Sequence, residues 1–357
     1  MILVRIILAP LVLVYAILLL LRNLLYDFKL LGSVKFDLPV INVGNLAFGG
    51  TGKTPHIEYL IRLLSSKHKV AMLSRGYKRV TRGYVFANEQ SDAEMIGDEP
   101  LQIKRKFADT IEVGVCEQRV IGVPNLLYDA PETDIVLLDD AFQHRAITAG
   151  LNILLTDYNN LFTRDYLAPA GTLREYRFAY KRAHAIVVTK CPQVLNSEEM
   201  KKLESEINPT ENQKIFFSFQ NFGDLKSVFG DETITQNEFK NHTVVLFSGI
   251  ANATSFENYI SSHFKNTITH IKFADHHHYT IEDAERILRF YDEEASDKKL
   301  IITTEKDAMR LEGDEFKTIF KNKNLFYLPL EIDFFDSSKN EFNTMIFDYV
   351  EANKRSN

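Results

Sequence analysis

The sequence predicts an α/β fold: a mostly parallel sheet with helices on both faces, a second, smaller α/β domain, and an N-terminal membrane helix. Three observations predict it. Beyond residue 36, short apolar β-branched runs alternate with longer amphipathic stretches, the pattern of strands covered on both faces by helices. The run Leu38-Pro39-Val40-Ile41-Asn42-Val43 leads into Gly49-Gly50-Thr51-Gly52-Lys53-Thr54. This reads as a buried strand, a phosphate-cradling turn and the start of a helix. From Ile6 to Leu21 every residue is apolar except Pro10 and the amphipathic Tyr15.

The N-terminal segment, residues 1–35, comes first. With Met1 to Val4, its apolar run reaches about 21 residues, roughly the 30 Å of a bilayer core when helical. Arg5 and Arg22 bracket it, and Arg5 would have to snorkel. Leu24-Leu25-Tyr26 with Phe28, Leu30 and Leu31, broken by Asp27 and Lys29, suggests an interfacial extension. No small-residue cleavage site follows, and the downstream loop needs cytosolic ATP, which argues against a secretory signal. Arg22, Lys29 and Lys35 favour a cytoplasmic body. Residues 1–22 are compatible with either a spanning or a surface-lying helix.

Residues 36–222 form the next expected domain, and the glycine turn makes it P-loop NTPase-like. Glycines let the backbone turn tightly and aim N–H groups at a phosphate. Lys53 can reach the terminal phosphates of ATP, and the Thr54 hydroxyl can ligate Mg²⁺. The helix start adds its positive end. The spacing G-x-x-x-x-G-K-[ST] puts Ala47 where a first glycine is usual. The loop is therefore expected to turn on Gly44 and Gly49. The expected nucleotide cradle is Ala47, Phe48, Gly49, Gly50, Thr51, Gly52, Lys53 and Thr54.

Further strands are expected at Val70-Leu73, Ile135-Leu138, Ile153-Leu155, Ile186-Val188, Ile215-Phe217, Val244-Phe247, Leu300-Ile302 and Leu325-Leu328. Polar clusters follow four of them, at Ser74-Arg75-Gly76-Tyr77, Asp139 to Arg145, Thr189-Lys190 and Thr303 to Asp307. In parallel sheets ligands bind at these carboxyl ends. Asp139-Asp140 is the expected partner of the glycine loop, because a strand-end aspartate lies beside the Mg²⁺ held by Thr54. Spacing leaves open which of the two reaches the metal.

In Gly97-Asp98-Glu99-Pro100, Asp98 suits a helix cap and Pro100 a first helical position. One of the carboxylates can instead serve as a base or metal ligand. Asp275-His276-His277-His278 precedes a helix start capped by Thr280 and Asp283. A histidine there, paired to a carboxylate, could orient a base. Arg119, Arg145, Arg174 and Arg177 are candidate anion clamps, since the guanidinium fork binds phosphate bidentately. Thr189-Lys190 is like a guanine-reading pattern, but Pro192 stands where that pattern needs Asp, so ATP is expected rather than GTP. A linker is expected over 223–241 and the smaller α/β domain over 242–350.

Composition bounds the rest. The chain has 357 residues, 45% hydrophobic and 25% charged, with a formal net charge of −6. That suffices for two domains. It offers no global basic field, so no nucleic-acid partner is expected. Cys116 and Cys191 are expected as free thiols in a reducing compartment.

Taken in order, these motifs resemble the tetraacyldisaccharide 4′-kinases of lipid A synthesis. The matching segments are Gly44-Asn45-Leu46 with Gly49 to Pro55, Ser74 to Tyr77, Gly97 to Leu101, Leu138 to Arg145, Gly171 with Leu173 to Glu175, Val187 to Lys190, Phe247 to Ala251, Asp275 to His277 and Thr303 to Arg310. The resemblance implies ATP-dependent phosphorylation of the 4′-hydroxyl of a lipid A disaccharide-1-phosphate precursor at the cytoplasmic face of the inner membrane. It implies two α/β/α units with the site between them. Lys53 and Thr54 would bind phosphate and Mg²⁺, with Asp140 and Glu99 as metal partners. Asp98 would be the base, paired with His276. Asp139, His144, Arg119 and Arg174 would support phosphate and transition-state charge, and Tyr77 lies in the substrate-side motif. Thr172, Tyr176, His184 and Ala253 depart from the family's usual residues, all at turns or flanks.

Two rivals remain at this point. A membrane-associated deviant P-loop ATPase of the partition or division-site type also carries G-G-x-G-K-T, but Phe48 occupies the place of its signature lysine. A non-enzymatic, membrane-tethered nucleotide-binding scaffold would leave an Asp98/His276 pairing without purpose.

Overall fold

The structure is a computed structural model and describes residues 2–250, 253–264, 268–311 and 313–354. Met1, Ala251 and residues 355–357 of the polar tail lie outside the described residues, as does the side chain of Arg5. The chain forms two compact units, Met1–Gln220 with Ile332–Asn357, and Asn221–Glu331.

The first unit holds a nine-stranded sheet. In chain order its strands are β1 (Val40–Asn45), β2 (Val70–Ser74), β3 (Val85–Phe86), β4 (Ile111–Val115), β5 (Ile135–Asp139), β6 (Leu151–Asp157), β7 (Ala185–Cys191) and β8 (Lys214–Phe222). A late strand, Leu330–Phe334, returns to its edge beside β8. From that edge the order runs β8, β7, β6, β1, β5, β2, β4, β3. All pairs from β8 through β4 are parallel, and the short β3 joins β4 antiparallel. β1, β2 and β5 are buried along their whole length, so their β-branched and leucine runs see protein on both faces.

The second unit is built on β9 (Leu225–Ser227), β10 (Thr233–Ile234), β11 (Thr243–Ser248), β12 (Ile268–Lys272), β13 (Lys299–Thr304) and β14 (Leu325–Leu328). Its order is β10, β9, β14, β13, β11, β12. The last four strands of that order pair in parallel, whereas β9 and β10 add antiparallel. All nine strands expected from the sequence form.

The division differs from the expected boundaries in two places. Residues 223–241 are part of the second unit's sheet and core, because Leu225 and Phe239 bury with Val244, Leu246 and Phe326. The chain after Glu331 belongs to the first unit. There Phe334, Phe342, Ile346 and Val350 bury in one cluster with Ile41 and Ile57, which anchors the C-terminal helix Asp336–Ala352 to the first sheet.

The N-terminal helix α1 (Ile2–Asp27) contains the apolar span Ile7–Asp27, in which an 18-residue stretch has mean hydropathy 2.2 and only 6% of its residues buried. Among the described residues it is the one helix long and apolar enough to cross a membrane. Its polar residues are tied to the first unit. The Tyr15 hydroxyl donates to the Arg174 carbonyl at 2.8 Å, Arg22 donates to the Gln143 carbonyl at 2.8 Å, and Asn23 donates to Glu175 at 3.1 Å.

Gly44 lies inside β1 and does not turn the loop as expected. A Cβ there would sit 2.7 Å from Cβ of Phe142, so this glycine permits close approach of the loop after β5. Gly44→Ala is expected to cost about 1–3 kcal/mol through overpacking, read as a lower urea midpoint at unchanged m-value. An unchanged midpoint would show that the two backbones yield freely.

Candidate active site

The phosphate loop grows out of β1 and ends in α2 (Lys53–Leu64). Gly49 at φ 108° and Gly52 at φ 87° carry its left-handed turns, which only glycine adopts cheaply. Gly52 is the N-cap of α2 and makes no side-chain cap bond. The first amides of the helix therefore have no partner within it, and the helix dipole adds a partial positive charge. The Asn45 amide donates to the Thr51 hydroxyl at 2.8 Å and fixes the loop from below. The Phe48 N–H donates to the Thr172 carbonyl at 2.7 Å, and Phe48 itself is exposed. Ala47 bridges to Leu173.

Register brings the acidic pair to this loop. Val43 of β1 lies opposite Asp139 of β5, and the Asp140 N–H donates to the Val43 carbonyl at 3.0 Å. Lys53 Nζ is 3.7 Å from Asp140 Oδ2. Arg174 grips the same carboxylate with both terminal nitrogens, at 3.0 and 2.6 Å, and also donates to the Asn45 side-chain oxygen. Burial works against the ionised Asp140, but Lys53, Arg174 and Arg119 outweigh it and bring its pKa down to about 2. Asp139 goes the other way. Burial, then the charges of Glu99 and Asp140, push it up to about 6. Its Oδ2 accepts from the Ser74 hydroxyl at 3.0 Å, whereas its buried Oδ1 has no hydrogen-bond partner among the described residues.

An orphaned carboxylate oxygen beside a lysine-bearing phosphate loop is a fitting place for a cation. No group of three or more His, Cys, Asp or Glu capable of holding a metal occurs among the described residues. Magnesium keeps several waters and takes one or two carboxylates plus substrate phosphates. The donors fit an ion that arrives with the nucleotide.

Asp98 and Glu99 stand in the first turn of α4 (Asp98–Phe107), after the short helix α3 (Ala93–Ile96). The expected capping scheme is corrected here. Gly97, at φ 90°, is the N-cap, Asp98 is the first helical residue and Pro100 the third. Both carboxylates are half-buried and favoured by the helix dipole.

Three of the candidate anion clamps are corrected. Arg119 is 1% exposed, and its guanidinium donates to the carbonyls of Cys116 at 2.9 Å and Asp139 at 2.8 Å. It holds the β5 end from inside and adds charge beneath the site, with burial lowering its pKa to about 10. Arg145 is engaged by α1, at the Asn23 carbonyl and Asp27. Arg177 donates to the Asp165 carbonyl at 2.7 Å. Lys190, in the strand-end pattern that Pro192 breaks, pairs with Asp157 at 2.7 Å.

His144 is half-buried, and burial with the cations Arg119 and Arg75 lowers its pKa from 6.5 to about 4. It is neutral at physiological pH and can act there as a hydrogen-bonding group, without a positive charge. A depressed folded-state pKa contributes stability above the unfolded value, and that contribution is lost as pH falls through the folded value. Wild type should therefore lose more stability than His144→Gln between pH 6.5 and 4. Equal losses in urea titrations would contradict the assignment.

On the second unit, His276 sits in a left-handed turn at φ 59°. Arg310 reaches its Nδ1 at 3.2 Å, and Arg310 is held by Asp307 and the Gly249 carbonyl, both at 2.9 Å. His277 pairs with Asp283 at 2.8 Å, and Asp283 forms the expected capping box with Thr280. His278 is exposed. The triple histidine thus separates into three unlike residues.

With this geometry in view, known proteins give a consistent answer. A sequence profile described as tetraacyldisaccharide-1-P 4′-kinase matches residues 4–351. The chain belongs to that family. A tetraacyldisaccharide 4′-kinase from Flavobacterium johnsoniae is 42% identical over 351 residues, covering 98% of both chains. One from Phocaeicola vulgatus is 40% identical over 339 residues, covering 94% of this chain and 92% of the relative. The crystal structure of LpxK from Aquifex aeolicus in complex with ATP matches with a TM-score of 0.76 at 29% identity, over 97% of this chain and 99% of that one. The kinase family match covers the cradle, the Asp139-Asp140 pair, Asp98 and His276 together.

Sequence reasoning passed over Ser74, Asn45 and His56 as site residues. Ser74 and Asn45 fell inside matched motifs, but nothing in their spacing showed what they would hold. His56 looked like any helix residue.

Proposed function

We propose that this chain transfers the γ-phosphate of ATP to the 4′-hydroxyl of a tetraacyl disaccharide-1-phosphate lipid A precursor, a step of lipid A biosynthesis. The observation that carries the reading is the pairing of β1 with β5, which sets a glycine loop and Lys53 against two inequivalent aspartates. The full-length family match supplies the acceptor class.

The cradle amides and Lys53 bind the outer phosphates, and Arg174 balances charge at their edge. Thr54, Asp140 and Glu99 are the residues that would hold magnesium, and the unpartnered Asp139 oxygen makes Asp139 a further donor. Magnesium held by these residues would neutralise phosphate charge. Asp98 takes the proton of the sugar hydroxyl, whose oxygen forms the new P–O bond as the bond to ADP breaks. His276 also serves that proton transfer, as the family resemblance implies. Positioning and charge neutralisation carry most of the catalysis in such transfers. The apolar face of α1 rests in the cytoplasmic leaflet of the inner membrane and presents the site to a lipid acceptor.

Incubation of the full chain in detergent with γ-labelled ATP and the disaccharide-1-phosphate precursor tests this. Label is expected on the lipid at the 4′ position. Release of label only as inorganic phosphate would favour the ATPase rival.

A further inference from the structure

Two side chains grip the phosphate loop from behind, and the proposed reaction does not use either. The Thr189 hydroxyl, at the end of β7, donates to the Thr51 carbonyl at 2.9 Å, with the Thr156 carbonyl farther away at 3.3 Å. His56 Nδ1 lies 2.7 Å from the Gly52 carbonyl, and its Nε2 lies 3.0 Å from the Ser218 hydroxyl on β8. A carbonyl only accepts, so Nδ1 carries the proton and Nε2 accepts from Ser218. Thr189 is 1% exposed, His56 3% and Ser218 0%.

The consequence lies in the peptide planes. In a trans peptide the C=O and the following N–H point in opposite directions. A Thr51 carbonyl held toward β7 turns the Gly52 N–H outward. A Gly52 carbonyl held by His56 turns the Lys53 N–H outward as well. The main-chain bond from the His56 N–H to that same carbonyl is long, at 3.3 Å, so the imidazole is its closer partner. Gly52 sits at φ 87°, and nothing in its own sequence fixes the plane.

We infer that His56 and Thr189 are positioning residues for the nucleotide. They lock two successive peptides of the phosphate loop so that the Gly52 and Lys53 amides face the phosphates. This rests on the nucleotide reading above. It also gives the Thr189-Lys190 strand end a purpose other than base recognition.

The test uses the full chain in detergent, with Mg·ATP titrations, steady-state kinetics and nucleotide-free melting. Thr189→Val keeps shape and removes only the hydroxyl. It is expected to weaken Mg·ATP binding and raise KM for ATP about five- to tenfold, with KM for the lipid acceptor unchanged. His56→Leu should do at least as much, and His56→Gln, which keeps a donor, should restore part of the loss. Wild-type Mg·ATP affinity in Thr189→Val would overturn the inference. So would a drop in melting temperature without any change for ATP. If His56→Leu does not fold, Thr189→Val decides alone. Absence of Mg·ATP binding by the wild-type chain would instead sink the nucleotide reading itself.

Discussion

Lys53→Ala is expected to lower kcat/KM for ATP by about 10²–10³-fold, the usual scale for losing one preorganised charge donor. Lys53 is the first residue of α2 and sits where the loop ends. Its ammonium is 3.7 Å from Asp140, which Arg174 already holds bidentately. Removing it therefore leaves Asp140 paired, and partly exposed ion pairs contribute little to stability. The fold should survive and the chemistry should not. Lys53→Arg should fail nearly as badly, because a planar fork does not replace a point charge on a flexible stem. Near-normal turnover by a folded Lys53→Ala chain would remove the lysine from the mechanism.

The second large effect is expected at Asp98 and His276. Loss of a general base costs about 10²–10⁴-fold, so Asp98→Ala should fall in that range. His276→Ala is expected to lower turnover as well. Arg310 donates to His276 Nδ1, and a guanidinium has no lone pair to offer. Nδ1 is therefore the acceptor, which leaves Nε2 as the protonated nitrogen, 3.9 Å from Asp275 Oδ2. That tautomer is held by Asp307, which is fully buried and bonded to Arg310 and the Gly249 N–H. If the two residues act as one unit, the double variant should be little worse than either single. Strict additivity of the two ΔΔG‡ values would contradict the pairing.

Much of this was legible in the sequence, and for local reasons. The glycine loop, its lysine and the aspartate-terminated strand are contiguous chemistry, and β-branched runs marked nine strands. What was missed is non-local or chemically mixed. Ile111–Val115 carries Glu112 and Gly114, so it does not read as a buried run, yet its pairing with β2 buries it. β9 and β10 are three and two residues long; β9 adds to the edge of β14, and β10 to β9. Leu330–Phe334 joins a sheet begun almost 300 residues earlier. Three of the four candidate arginines failed for a similar reason. Side-chain type suggested phosphate, but burial tied Arg119 to carbonyls, and α1 engaged Arg145. Asp139 and Asp140 are neighbours in sequence and opposites in environment, and only the packing separates their roles.

The proposed reaction requires the outer phosphates of Mg·ATP to lie in the loop from Gly49 to Thr54. Gly50 tests it most directly. Its φ is not left-handed, and a Cβ built there meets no heavy atom within 4 Å. Gly50→Val should therefore fold and melt like wild type while its side chain fills the space a phosphate needs. Calorimetric titration of the full chain with Mg·ATP should show binding in wild type and none in Gly50→Val. Equal affinity in both would place the nucleotide elsewhere and contradict the account.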